Sequence, residues 1–301
     1  MQKRRKKEPA AIMAAGIGIH MIADIHTHTF PDRIAKRTID SLASVAHIRP
    51  STDATADSLY ASMKKAGIDY SLVLPVATKP SQVEKINTTA YENNLKYKDI
   101  GIISAGAIHP DYEGWYEELA RVKQLGLKGI KLHPVYQGYD LDGVKFMDIM
   151  KRCAELGLFV ITHAGDDIGY PGAVHCSPEM SLHVTEEIPE LTLILAHMGG
   201  WQNWKEVCEK LVHTNVLLDT AFSLYPVHRL DDHWKEDEPW LLTNEEFMEM
   251  VNLFGADRIL FGTDCPWADQ AEYTEVFRKL PLSKEQYTKI MGENAAELLS
   301  L

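Results

Sequence analysis

Short apolar runs rich in isoleucine, valine and leucine alternate along this chain with longer stretches whose apolar residues recur at helical spacing. The runs fall at residues 22–28, 71–77, 101–109, 129–134, 159–165, 192–198, 216–222 and 259–265. Between them lie helical patterns, clearest at 112–125, 144–156, 201–213 and 245–254, and a last helix is expected over 283–301. Gly67, Gly126, Gly157 and Gly255 stand just ahead of the next run, where a helix C-cap belongs. Strands that are apolar throughout are buried on both faces, which requires a parallel sheet covered by helices. Eight strand–helix units predict a closed (β/α)₈ TIM barrel filling residues 21–301 as one α/β domain. No Gly-x-Gly-x-x-Gly turn follows the first run, so a dinucleotide site has no local support.

Composition narrows the class further. The 301 residues are 45% hydrophobic and 25% charged, the balance of a globular protein with a large core. Five bases and one acid occupy the first twenty residues, and the remainder carries 26 basic and 42 acidic residues. A body at net −16 repels nucleic-acid phosphates and anionic lipid, so neither is expected as a partner. Residues 1–20 read as an extension, expected to be disordered, ahead of a domain that begins near Met21. A secretory signal fits them poorly, because the apolar part is short and interrupted by Gly16, Gly18 and His20. Four scattered cysteines without a Cys-x-x-Cys pair point to a reducing cytoplasm and offer no thiolate zinc site.

The chemistry-bearing residues cluster at one end of the predicted strands. Run 1 closes on Asp24-Ile25-His26-Thr27-His28, run 4 on Lys131-Leu132-His133, run 5 on His163, run 6 on His197 and run 8 on Asp264. In a barrel of this kind the strand C-termini open into the mouth where chemistry takes place. Alternation along a strand puts His26 and His28 on one face, with Ile25 and Thr27 turned to the helices. A single histidine at a strand end is ordinarily a hydrogen-bonded rim residue. Five histidines and an aspartate converging on one rim are better explained by a divalent cation, since zinc-like ions take imidazole and carboxylate ligands together. His26, His28, His163 and Asp264 can supply that set, and His197 on the adjoining strand can act as the acid–base partner of an activated water.

These residues also carry a resemblance. The markers His26-Thr27-His28, Thr162-His163-Ala164-Gly165, Ala196-His197-Met198-Gly199-Gly200, Thr263-Asp264-Cys265-Pro266-Trp267 and Gly292-Glu293-Asn294-Ala295-Ala296 are similar to those of the amidohydrolase superfamily, amidohydrolase-2 branch. That branch contains aminocarboxymuconate-semialdehyde-type and resorcylate-type decarboxylases as well as lactone hydrolases. The resemblance implies a distorted barrel with one divalent ion, zinc or else manganese, held by His26, His28, His163 and Asp264. It implies that His197 handles the water, that Asp264 also takes a proton, and that the enzyme forms a homodimer. Lys131 lies on the strand that carries a metal-bridging lysine in other branches. One layer below His133, it is expected here to be structural and to pair with Asp24 across the barrel floor.

Three further residues are expected to face a small-molecule substrate: His133 at the rim, Asp167 in the loop after run 5, and Trp267 three residues beyond Asp264. His175-Cys176 in that loop raises the idea of a thiol nucleophile without fixing its geometry, and His109 closes run 3. Hydrolysis of an amide, ester or lactone is the first reading of the set. The alternative is non-oxidative decarboxylation of an unsaturated or aromatic carboxylate, which needs a cation to hold the carboxylate. No arginine stands at a strand end, although Arg33, Arg49 and Arg229 lie in nearby loops.

Overall fold

The computed structural model describes residues 21–235 and 240–301. The reading of residues 1–20 as an extension lies outside the described residues. Every predicted run contains a strand: β1 (Ala23–Thr27), β2 (Tyr70–Val73), β3 (Ile102–Ser104), β4 (Gly106–Ala107), β5 (Gly129–Leu132), β6 (Phe159–Thr162), β7 (Leu193–Leu195), β8 (Leu217–Asp219) and β9 (Ile259–Leu260). Run 3 is divided into β3 and β4 at Ala105, whose N–H still donates to the Val73 carbonyl. All pairings are parallel, β1-β2-β3 and β4 through β9. Ile25 N donates to Phe261 O at 2.9 Å and Thr27 bridges to Cys265, which joins the last strand back to the first. The sheet is therefore a closed barrel.

The strands are shorter than their apolar runs for a physical reason. His197, Met198, Phe222 and Asp264 have φ values of 60°, 54°, 48° and 66°, in the left-handed region that costs a non-glycine residue roughly 1–2 kcal/mol. These residues leave β geometry at the strand ends, and the departure turns His197 and Asp264 into the mouth. Backbone strain of this kind gathers where a side chain must be aimed.

Ala23, Ile25, Leu72, Leu74, Phe159, Ile161, Ile194 and Leu260 form one apolar cluster with Ala295 and Leu299. Side chains from opposite sides of a closed barrel can meet only inside it, so Ile25 points inward and not toward the helices as strict alternation predicts. The β1–β2 register shifts between Asp24 and Thr27, and this irregularity lets Ile25 and His26 both serve the interior. Asp24 turns outward instead. Its carboxylate accepts from Gln270 Nε2 at 2.7 Å, Thr263 Oγ1 at 2.5 Å and Thr263 N at 3.0 Å, so the expected pairing with Lys131 does not form.

The expected helices are present as Trp115–Gln124, Val144–Leu156, Trp204–Lys210 and Asn244–Phe254. The C-terminal stretch runs Lys284–Thr288, a π-turn over Lys289–Glu293, then Asn294–Leu299. A Cβ on Gly292 would lie 1.9 Å from the Met21 carbonyl, so only glycine lets this segment press against the start of β1 and seal the barrel floor. One helix was not anticipated. Asp32–Ala46 is inserted between β1 and the barrel helix Ala56–Ala66, and its Ile34, Thr38, Leu42 and Val45 wall the mouth. No described helix is long and apolar enough to cross a membrane.

Candidate metal centre

The mouth opens into a cavity of about 1130 Å³ whose floor carries His26, His28, Lys131, His163, His197 and Asp264. His26 is fully buried, and its Nδ1 lies 2.8 Å from Asp219 Oδ2. His28 Nδ1 lies 2.9 Å from the Leu74 carbonyl. These acceptors require both Nδ1 atoms to carry the proton, which leaves both Nε2 lone pairs facing the cavity. Nε2 of His26 and of His28 then meet Asp264 Oδ1 at 3.5 and 3.0 Å.

The second pair of rings is set in the same way. His197 Nδ1 donates to Ala221 O at 2.8 Å, and His163 Nε2 donates to Asp166 O at 3.0 Å. Their remaining nitrogens, His197 Nε2 and His163 Nδ1, face each other at 3.0 Å. Four ring lone pairs and one carboxylate are thus turned toward one space without a proton among them. Acceptors held this close repel unless a cation lies between them, and imidazole with carboxylate is the donor set of zinc-like divalent ions. The residues present fit such an ion.

Electrostatics agree with that arrangement. Burial, reinforced by the charge of Lys131, holds His26 well below its ordinary value, and burial pushes His163 and His197 down to about 4. Neutral rings are the form that ligates metal. Burial alone would raise Asp264, but His26, His28 and His197 around it outweigh that penalty and hold it below the usual carboxylate range, so it is ionised. Burial lowers Lys131 to about 8, with Asp219 and Asp264 pulling it back up.

His26, His28 and Asp264 form one group, with ligating atoms all within 4.8 Å of one another. His163 reaches the same space through Nδ1, yet its Nε2 side groups with His133 and Asp167. Nε2 of His133 is 3.5 Å from Asp167 Oδ2, and Nε2 of His163 is 3.8 Å from it. The His133 and His163 rings are stacked within 10° at 4.4 Å, and His163 Nε2 spends its proton on Asp166 O, so this side offers an ion no second ring lone pair. This trio forms a polar wall of the cavity. Burial raises Asp167 to about 6, and Trp267 lines the same cavity.

Other sequence expectations fall elsewhere. Cys176 is buried with its thiol pushed up to about 12, and His175 pairs with Asp140 at 2.7 Å, so no thiol–imidazole couple exists. His109 is buried and its Nδ1 accepts from Asp111 N, away from the cavity lining. Of the three loop arginines, Arg33 lines the cavity. Lys131 lies on the cavity floor, its Nζ 3.4 Å from His26 Nε2.

Asp219 escaped the sequence reading. It is fully buried at the end of β8, and besides binding His26 it accepts from the backbone N–H groups of His197 and Ala221, both at 3.0 Å. One carboxylate thereby orients a ligand from the first strand and anchors the turn that carries His197. The available signal was a lone acid closing the apolar run Leu217-Leu218-Asp219.

A closed parallel barrel with histidines and an aspartate gathered at its C-terminal rim defines a TIM-barrel fold with a candidate metal centre. The Amidohydrolase family model (Amidohydro_2) matches residues 23–301. The chain belongs to the amidohydrolase family. It is 28% identical over 141 residues, 44% of its length, to a gamma-resorcylate decarboxylase of Polaromonas sp. (strain JS666 / ATCC BAA-500). It is 25% identical over 212 residues, 63% of its length, to a 2-amino-3-carboxymuconate-6-semialdehyde decarboxylase of Dictyostelium discoideum. The matches span 41% and 58% of those two proteins, less than two thirds of either. Among solved structures it shares the fold of the 5-carboxyvanillate decarboxylase of Novosphingobium aromaticivorans with bound manganese. That likeness has a TM-score of 0.68 at 15% identity and covers 94% of this chain and 98% of that one.

Proposed function

We propose that this protein is a metal-dependent, non-oxidative decarboxylase of a small unsaturated or aromatic carboxylate. The observation that carries the reading is Lys131. Its ammonium is fully buried on the cavity floor, and among the described residues it forms no ion pair with a carboxylate. Asp219 and Asp264 offset part of the cost of burying this charge without pairing with it directly, so an anionic substrate group is the natural direct counter-charge. A neutral amide, ester or lactone would leave Lys131 unpaired, which is why decarboxylation displaces the hydrolysis favoured from the sequence. The decarboxylase names of the relatives support the same choice.

A divalent ion held by His26, His28, His163 and Asp264 would supply a Lewis acid that polarises and orients the substrate's oxygens. Manganese joins zinc as a candidate because the Novosphingobium structure contains it. Lys131 Nζ donates to the carboxylate that will leave. The aromatic walls, Phe30, Tyr136, Phe222 and Trp267, take the planar body of the substrate and exclude water. His197 keeps its Nδ1 proton on Ala221 O, and its Nε2 lone pair relays one proton, taken up from solvent in each turnover, to the substrate carbon. The C–CO₂ bond breaks, its electron pair stays on carbon, the proton bonds there, and CO₂ departs. Asp167 and His133 stand beside this position, His133 Nε2 3.5 Å from Asp167 Oδ2, and contact the substrate's periphery.

The test is to load the purified full chain with Zn²⁺ or Mn²⁺ and offer hydroxybenzoates and unsaturated dicarboxylates beside lactones and amides. CO₂ release from the carboxylates supports the proposal. Turnover confined to lactones, esters or amides overturns it.

A further inference from the structure

The cavity holds more space than its polar floor accounts for. At about 1130 Å³ it exceeds the roughly 300–1,000 Å³ that encloses a drug-sized ligand, and a single-ring carboxylate seated on Lys131 fills only a part of it. The remainder runs between two helices that both line it, the inserted Asp32–Ala46 and Val83–Tyr97. Ile34, Leu42 and Val45 stand on the first, and Ile86, Ala90 and Tyr97 on the second, each set at helical spacing along one face. Either set spans about 16 Å of helix axis, so the cavity continues beyond the ring of ligands as an apolar arm.

Neither wall of the arm is free to close over it. Two asparagines clamp Val83–Tyr97 to the barrel by paired hydrogen bonds. Asn87 donates to Ala107 O at 3.0 Å and accepts from Ala107 N at 2.8 Å, and Asn94 does the same to Ser104 at 3.2 and 2.6 Å. The inserted helix is fastened at both ends. Phe30 N donates to Ala54 O at 2.8 Å just ahead of it, and Trp234 Nε1 donates to Ala46 O at 3.0 Å where it stops. Ala35 and Ala43 on a second face of this helix are buried, whereas Val45 on the arm is 47% exposed. Concave apolar surface held open to water is unfavourable until the apolar body of a ligand covers it.

We infer that this arm is a substrate subsite, and that the substrate is a carboxylate whose planar head carries an apolar substituent at least as large as the head itself. The head lies on the floor with its carboxylate against Lys131. The substituent lies between Ile34 and Leu42 on one side and Ile86 and Ala90 on the other. Each methylene moved from water into such a site improves affinity about threefold. The inference rests on the decarboxylase reading and deepens it: the floor removes CO₂, and the arm selects by length.

The experiment titrates the metal-loaded full chain with butanoate, hexanoate, octanoate and decanoate by calorimetry. The carboxylate is the same in each probe, so only the chain differs. Affinity should rise about two- to fourfold for each added methylene. Leu42→Trp and Ile86→Trp fill the arm from opposite walls, and each should lower the decanoate-to-butanoate affinity ratio by about 10-fold or more. An affinity that does not grow with chain length, or a ratio that no folded variant lowers, overturns the subsite. Should neither variant fold, the ¹³C-methyl resonances of Ile34 and Ile86 in the unaltered protein serve instead. They should move further with decanoate than with butanoate, and equal movement or none is the contrary result. CO₂ release from 2-hydroxybenzoate and from its 4-hexyl and 5-hexyl derivatives is recorded separately. Chain-dependent binding without CO₂ sinks decarboxylation and leaves the subsite standing, whereas CO₂ release with chain-independent binding removes the subsite alone.

Discussion

Asp219→Asn changes one atom of a carboxylate that touches no cavity solvent, and it should cost the protein its metal. Asp219 accepts three hydrogen bonds: His26 Nδ1 on Oδ2, and the N–H groups of His197 and Ala221 on Oδ1. An amide has one acceptor oxygen and one donor nitrogen, so it cannot satisfy both sides. Keeping the two backbone donors places the NH₂ against His26 Nδ1. That ring must then carry its proton on Nε2, where an ion would bind. Turning the amide over keeps His26 but leaves two buried N–H groups unpaired, at about 1–3 kcal/mol each. The first arrangement is the cheaper. Loss of an orienting partner of this kind weakens metal binding by about 10- to 100-fold, or roughly 1.4–2.7 kcal/mol. Chelator-stripped protein titrated with Zn²⁺ or Mn²⁺ against a competing chelator gives the dissociation constant. Thermal melting of the metal-free forms shows whether the fold is intact. Unchanged metal affinity in a folded variant would refute the claim that Asp219 sets the His26 tautomer.

Three other outcomes follow from the same geometry. Lys131→Met should lower kcat/KM for a carboxylate substrate by about 10- to 100-fold, the worth of a charged hydrogen bond, while the melting temperature holds or rises because an unpaired buried charge is removed; a lower melting temperature with full activity would contradict it. His197→Gln should retain one ion per chain by metal analysis and lose about 10²- to 10⁴-fold in kcat, and surviving turnover would remove His197 from proton transfer. In the metal-free protein, imidazole ¹⁵N shifts should show His163 and His197 neutral down to about pH 4, because burial opposes their charged forms. Sites that compete with fewer protons keep their affinity as pH falls from 6.5 toward 5, so metal dissociation should begin only near the lower value, and ordinary titration near 6.5 would contradict the burial argument.

The barrel was legible in the chain because its signal is local. Eight apolar runs of six to nine residues alternate with helical patterns, four of which end at a glycine, and each run predicts its own strand. The rim was legible for the same reason, since strand ends are sequence positions and the barrel brings all of them to one face. His26, His28, His163, His197 and Asp264 could therefore be named as a set before any contact was known.

What the chain did not disclose depends on which residues meet across the barrel. The β1 irregularity turned Asp24 out to Gln270 and Ile25 inward, against simple alternation, because register is settled by the partner strand and not by the strand itself. Lys131 left its expected partner for the cavity floor, Asp219 emerged as the acceptor that fixes His26, and the mouth acquired an inserted helix. Hydrogen-bond partners nearly two hundred residues apart, such as His26 and Asp219, leave no mark on local periodicity. Sequence by itself determined where the candidate ligands stand, because strand ends and side-chain types are local properties. Tertiary structure alone decided which lone pairs are free and which charge lacks a direct ion pair, because each is a balance between groups that only the closed barrel brings together.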